Sequence, residues 1–200
     1  MAPTGVALQD AKARLFDATD RVVLREGITA ATSRSVTDEL GVAKGVLHRH
    51  FPDFETFLAE WAAAKIARLS ALAGELERRA GSATVSAVLS DALRRIFDRL
   101  GLETIRLVIA RDAVRDALRA SRGPGLPYLG EATVVLTDYL TAERELGRLS
   151  GAADPRALAL ALIGTGHLLF AGESGATPSP DAVDEMVESI IVGAQPGVAE

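Results

Sequence analysis

Apolar residues recur along this chain at steps of three and four, the period of helices that bury one face. Leu8, Ala11, Leu15, Ala18 and Val22 form the first such stripe and predict a helix from about Leu8 to Arg25, closed by Gly27. A short connector, ITAATSR, leads to a helix starting at Ser33, with Val36 and Leu40 on its inner face. Gly41 stands where a chain leaving a helix needs positive φ, and Val42 plugs the turn. A second short helix runs to about His50, with Val46, Leu47 and Phe51 as apolar contacts. Pro52 stops it, since proline lacks the N–H and restricts the residue before it.

The pattern then lengthens. From Asp53 to Arg79, Phe54, Phe57, Leu58, Trp61, Lys65, Leu69, Leu72 and Leu76 track one face, with Asp53 as cap and Glu55 in the first turn. Further stripes predict helices over about Val85–Leu100, Glu103–Ala120 and Tyr128–Leu146, with a Gly-Pro-rich loop at 123–127. Asp154-Pro155 opens a helix to about Ala171 that is apolar almost all round and is expected to be buried on all sides. The polar loop GESGATPSP separates it from a last helix over about Asp181–Val192. No strand-like alternation or repeat appears. The expected fold is all-α, with about nine helices. A three-helix bundle with a helix-turn-helix at residues 1–54 precedes a larger helical domain at 55–200.

Composition changes this picture in three ways. Hydrophobic residues make up 48% of the 200 positions, enough for a sizeable core. With no cysteine there is no thiolate metal site and no disulfide framework, which fits a cytoplasmic protein. The N-terminus has neither the basic start nor the apolar core of a signal peptide, and no apolar run approaches the length of a membrane span. Net charge is −5, but residues 1–54 carry seven basic and seven acidic side chains, so the excess acid lies entirely in the remainder. A neutral, locally basic head on an acidic body is compatible with DNA binding by one end, helped by a second copy.

The two short helices carry the chemistry. In a helix-turn-helix the second helix enters the DNA major groove. Its outward positions are Lys44, Gly45, His48 and Arg49, donors and small residues suited to phosphates and base edges. At the N-terminus of the first motif helix, Thr32, Ser33 and Arg34 offer hydroxyls, a guanidinium and free N–H groups to a phosphate. A plain N-cap with a solvated arginine uses the same residues, and both roles can coexist. A cationic His48 on phosphate predicts affinity that rises toward mildly acid pH. His50, beside Phe51, is read as structural.

The N-terminal third resembles the TetR family of one-component regulators from about Leu15 to Leu58. The likeness rests on LFDAT at 15–19, REG at 25–27 and GVAKGVLHRHFPDFETFL at 41–58. Elsewhere it is architectural: many helices, a Pro-Gly loop and two apolar C-terminal helices. The resemblance implies a homodimeric DNA-binding repressor with a small-molecule pocket in the body; no cofactor is expected. Several family positions differ. Ala31 stands where a capping Thr is usual, leaving Thr32 and Ser33 to cap. Ala43 replaces Ser or Thr, and Val46 replaces Thr or Ser, offering an apolar contact to a thymine methyl. His48 replaces a Tyr and Phe54 a Lys, both phosphate-contacting in the family.

In the body, candidate effector-pocket residues are Trp61, Phe97, Arg106, Tyr128, Tyr139 and His167. Each also has a plain reading: aromatics at helical spacing fill cores, arginines pair with neighbouring acids, and a lone histidine bonds to nearby backbone. No catalytic or metal-binding spacing is present, so no enzyme and no metal are expected. The expectation is therefore a homodimer on a pseudo-palindromic operator, joined through helices 155–171 and 181–192 and released by a small molecule. The competing reading is a helical ligand-binding or interaction protein with weakened or lost DNA binding.

Overall fold

The computed structural model describes residues 5–43, 45–172 and 177–194, with side chains from Ala11 onward. Ten α-helices are present among them: α1 Gly5–Glu26, α2 Ser33–Leu40, α3 Gly45–His50, α4 Phe54–Arg79, α5 Val85–Ile96, α6 Arg99–Ala110, α7 Asp112–Arg122, α8 Pro127–Glu145, α9 Pro155–Phe170 and α10 Pro180–Ile191. Short 3-10 turns lie at Ile28–Ala30 and Val192–Ala194, and no strand occurs among the described residues. None of these helices is long and apolar enough to cross a membrane.

One helix more than expected is present, because the stretch predicted as a single helix over 103–120 belongs to two. Arg111 breaks it with an extended backbone (φ −121°, ψ 103°), although no glycine or proline stands nearby. The break is tolerated because its loose ends are satisfied. Arg115 on α7 donates to the carbonyls of Val108 and Ile109 at the end of α6, at 3.2 and 3.0 Å. It also pairs with Asp112, while Arg111 pairs with Glu55 on α4. The preceding boundary also moves. Asp98 accepts from the Gly101 amide at 2.7 Å, so α6 starts at Arg99 and the helix expected to reach Leu100 stops at Ile96.

The chain forms two compact units, Met1–Lys65 with Glu103–Pro127, and Ile66–Leu102 with Tyr128–Glu200. The first is built on the expected head core: Leu15, Ala18, Val22, Val36, Leu47 and Phe51 are almost fully buried, and Leu40 is half-buried. Phe51 meets Phe57 edge-on at 4.9 Å and Phe16 lies 5.7 Å from Phe57, so α1, α3 and α4 share one aromatic cluster. A polar clamp adds to it. Asp20 on α1 accepts from the Trp61 indole at 2.8 Å and from Lys65 at 2.5 Å, both on α4.

The second unit packs α5, α8, α9 and α10 with the later turns of α4. Val88, Leu89, Ala92, Leu93, Ile96, Leu136, Leu140, Leu162 and Val187 are all fully buried. Gly166 lets α9 approach Phe97, since a Cβ there would lie 2.8 Å from the ring. Glu143 is wholly buried, with one oxygen hydrogen-bonded and the other facing a guanidinium without a hydrogen bond. It accepts from the Gly81 amide at 3.2 Å and pairs with Arg148, which also donates to the Ala83 carbonyl. Those bonds fasten the α4–α5 turn to the end of α8. One expectation fails here: α9 is not buried on all sides. Ala157, Leu160, Ala161, Gly164, Thr165 and Leu168 form an exposed face, with Leu160 52% and Leu168 77% exposed. Apolar content all round the helix hid which side faces inward.

Candidate nucleic-acid interface

Local chemistry explains why two short helices stand firmly on the head. Thr32 is the N-cap of α2, and its hydroxyl accepts from the Ser35 amide at 3.0 Å. Ser35 answers by accepting from the Thr32 amide at 2.9 Å, which completes a capping box, and donates to the Ala30 carbonyl at 2.8 Å. At the other end Gly41 is left-handed (φ 70°, ψ 33°). Its amide reaches Asp38 O, and the Val42 amide reaches Thr37 O. Glu39 then ties α2 to α1 by accepting from Arg21 at 2.7 Å and Arg25 at 3.0 Å. The Arg21 and Arg25 hydrogen bonds hold its carboxyl below the usual carboxylate range.

With Val36 and Leu47 fully buried, the opposite faces turn outward. Thr32, Arg34, Gly45, His48 and Arg49 are exposed, while Ser33 and Val46 are half-buried. Lys44 lies outside the described residues. Arg34 is 84% exposed and touches Asp38 at 3.4 Å, a weak intrahelical pair that a phosphate could displace. Arg21 and Arg25, by contrast, are engaged with Glu39. Among the described residues, positive charge on this surface therefore rests on Arg34 and Arg49. Phe54 stacks on Phe57 at 5.5 Å, so a position that is lysine in the resembled family serves the aromatic cluster here. Asp53 caps α4 by accepting from the Thr56 amide at 2.7 Å, and that bond holds its carboxyl low.

The six candidate pocket residues fall in both units. Trp61 and Arg106 belong to the first, where the indole N–H is given to Asp20 and Arg106 pairs with Glu103 at 2.5 Å. In the second unit, Phe97 stacks on His167 with ring centroids 6.0 Å apart. Tyr128 donates its hydroxyl to the Ile96 carbonyl at 2.8 Å, beside them. Tyr139 lies on α8 next to Glu143. Burial raises the hydroxyl pKa of both tyrosines, so both stay neutral near pH 7. An open cleft of about 350 Å³ in the first unit, lined by Thr56, Ala59, Ala63, Ala117 and Leu118 among others, contains none of the six. Among the described residues no group of three His, Asp or Glu is placed to hold a metal ion.

Sequence reasoning missed two carboxylates that organise the head, one half-buried and one buried. One is Asp20, which stands two residues from both Ala18 and Val22 and so lies off the apolar stripe of α1. The other is Glu103, which reaches the Ile28 amide at 2.7 Å across 75 residues of chain, a contact with no local signal.

Residues 15–60 match the model of the bacterial regulatory proteins, tetR family, and cover the whole of this capped two-helix motif. Over that segment the chain is similar to the TetR family. Beyond that segment the likeness is one of fold. The reduced form of NemR from E. coli is 17% identical with a TM-score of 0.73, covering 94% of this chain and 100% of that one. A TetR-family transcriptional regulator from Agrobacterium tumefaciens is 16% identical with a TM-score of 0.71 over the same shares. A structure described as the molecular basis for control of antibiotic production by a bacterial hormone is 23% identical, with a TM-score of 0.69, covering 94% and 98%. No curated protein sequence matches the chain. The matched segment contains the two-helix motif at α2 and α3.

Proposed function

We propose that this chain is a ligand-responsive repressor of the TetR kind that binds a pseudo-palindromic operator as a homodimer and leaves it when a small molecule binds the body. The observation that carries the DNA half is the two-sided motif. Val36, Leu47 and Phe51 are buried, while Thr32, Arg34, Gly45, His48 and Arg49 share the outer surface. In this reading the N-terminus of α2, with Thr32, Ser33 and Arg34, grips phosphates. The α3 side, with Lys44, Gly45, Val46, His48 and Arg49, faces base edges. Residues 1–54 act as the DNA-binding domain and 55–200 as the effector and dimer domain.

The exposed apolar face of α9 supports dimerisation. Leu160 and Leu168, two turns apart with Gly164 between them, make a strip that a two-fold copy would cover, with α10 beside it completing a four-helix bundle. Two heads then reach successive major grooves about 34–36 Å apart. The effector acts by binding better to a conformation whose head spacing no longer fits the operator, and it can shift the balance only by that difference in affinity. Phe97, Tyr128, Tyr139 and His167 are the candidate effector contacts in the second unit, and Trp61 and Arg106 those in the first.

Fluorescence anisotropy on the DNA upstream of the protein's own gene tests the reading. Wild type should bind it far more tightly than unrelated DNA. Arg49→Ala should bind about tenfold more weakly and relax specificity at the base it reads, whereas Arg34→Ala, which removes a phosphate contact, should lower the salt slope by about one. Equal affinity for upstream and unrelated DNA would refute operator recognition.

A further inference from the structure

The turn at Ile28–Ala30 connects α1 to α2, and its N-terminus has no local cap. Its N-cap position is Gly27, which has no side-chain oxygen to offer and is held at φ +83°. The first amide of such a turn normally finds an oxygen from a nearby Ser, Asp or Asn. Here the oxygen comes from α6. Glu103 Oε2 accepts from the Ile28 amide at 2.7 Å, and Oε1 accepts from Arg106 at 2.5 Å. Glu103 is only 5% exposed, so both oxygens need these partners. A Cβ at position 27 would lie 3.6 Å from Glu103 Oε2, so the carboxylate passes directly over the glycine.

The same turn leads straight into the DNA-facing end of α2. Its last carbonyl, on Ala30, accepts from Ser35 Oγ, and Ser35 is half of the capping box with Thr32. A set of hydrogen bonds therefore runs from Glu103 onto the Ile28–Ala30 turn and from that turn to Ser35 and Thr32, the capping box that brackets Ser33 and Arg34. A serine, asparagine or aspartate at position 27 would have capped the turn without reference to any other helix. Supplying the cap from 75 residues away makes the start of α2 depend on where α6 sits.

We propose that Glu103 is a positioning residue for operator binding: it caps the α1–α2 turn from α6 and so sets the N-terminal turn of α2 against the operator phosphates. This rests on the repressor reading and names the α6 side chain through which the body acts on the head. Any rearrangement that draws Glu103 off Ile28 uncaps the turn and loosens α2.

The test pairs two measurements on the full chain: amide hydrogen exchange of Ile28 in the DNA-free protein, and operator affinity by anisotropy. Glu103→Ala removes the cap. Glu103→Asp keeps the charge but withdraws it by one methylene, so a poorly folding alanine variant does not end the test. Glu103→Gln keeps an accepting oxygen and is the rescue. Gly166→Ala, in the other unit, serves as a destabilised control. The Ala and Asp variants should exchange Ile28 about tenfold faster and bind operator about tenfold more weakly, a coupling typical of linked sites. The Gln variant should stay within about threefold of wild type in both. Wild-type protection of Ile28 in the Ala and Asp variants would overturn the proposal. So would operator affinity no lower than that of Gly166→Ala. A wild-type chain that binds no operator would overturn the repressor reading instead, and the exchange of Ile28 would then decide the cap by itself.

Discussion

Asp20→Ala should be among the most damaging single substitutions in the head, because it strands two buried donors at once. Asp20 takes the Trp61 indole N–H at 2.8 Å on one oxygen and the Lys65 ammonium at 2.5 Å on the other. The Lys65 side chain is 10% exposed and that of Asp20 is 22% exposed. Removing one partner of a buried ion pair costs about 3–5 kcal/mol, most of it from the charge left without a counter-ion. Partial access of water to Asp20 puts this case at the lower end, about 3 kcal/mol. For a chain of this size that is a fall in Tm of about 6–12 °C. Trp61 is the only tryptophan, so its fluorescence follows the clamp directly during thermal or urea unfolding. Lys65→Met keeps much of the volume without the charge. In the Asp20→Ala, Lys65→Met double variant the stranded ammonium is gone, and about half of the lost stability should return. The double-mutant cycle should therefore show a coupling above about 1 kcal/mol. An Asp20→Ala variant within about 0.5 kcal/mol of wild type, or a strictly additive cycle, would show that water already satisfies these groups and that the clamp contributes nothing.

Gly166→Ala should cost about 1–3 kcal/mol by calorimetry, because the added Cβ meets Phe97 at 2.8 Å and that ring is itself stacked against His167 and Phe170. Thr32→Ala removes the acceptor of the capping box. It should lower chemical stability by about 1 kcal/mol and operator affinity more than an exposed control such as Arg14→Ala. Acid should weaken the head in a definite sense. Glu39 and Asp53 have folded pKa values below their unfolded ones, so their contribution is full at neutral pH and is lost as pH falls below about 4. Unfolding midpoints taken between pH 7 and 3 should therefore fall less steeply in Glu39→Gln than in wild type. Leu168→Glu, on the exposed face of α9, should convert a dimer to a monomer in sedimentation analysis while leaving the helical circular dichroism unchanged.

The parts of this protein that were legible from residues are those whose causes are local. Gly41 ended α2 where a positive φ was needed, Pro52 ended α3, and Asp154-Pro155 opened α9, each by backbone chemistry confined to a few neighbours. The head core was legible because Leu15, Ala18, Val22, Val36, Leu47 and Phe51 follow helical spacing in a short, well-punctuated stretch. The α6–α7 break was not, because Arg111 is an ordinary helix former. Its departure from helical geometry is stabilised by Arg115 satisfying the carbonyls of the helix before it. Nor was the orientation of α9, whose apolar residues encircle it. Periodicity identifies a buried face only when a polar one opposes it.

Gly27 shows most clearly where such reading stops. As a residue it reads as a helix terminator, and it does close α1, with its amide on Val23 O at 2.9 Å. The turn after it needs a capping side chain that Gly27 does not have. A glycine at an N-cap leaves an amide that something must satisfy, and nothing within the next five residues does so. That deficit is visible in the sequence, but its remedy is not: the acceptor is a glutamate 75 residues on, in a stretch whose periodicity suggested only an amphipathic helix. An uncapped turn beside a functional motif is therefore a place to look for a distant acid. The physical reason is general, because a buried amide must be paired, and a partner supplied from afar ties the motif to the helix that carries it.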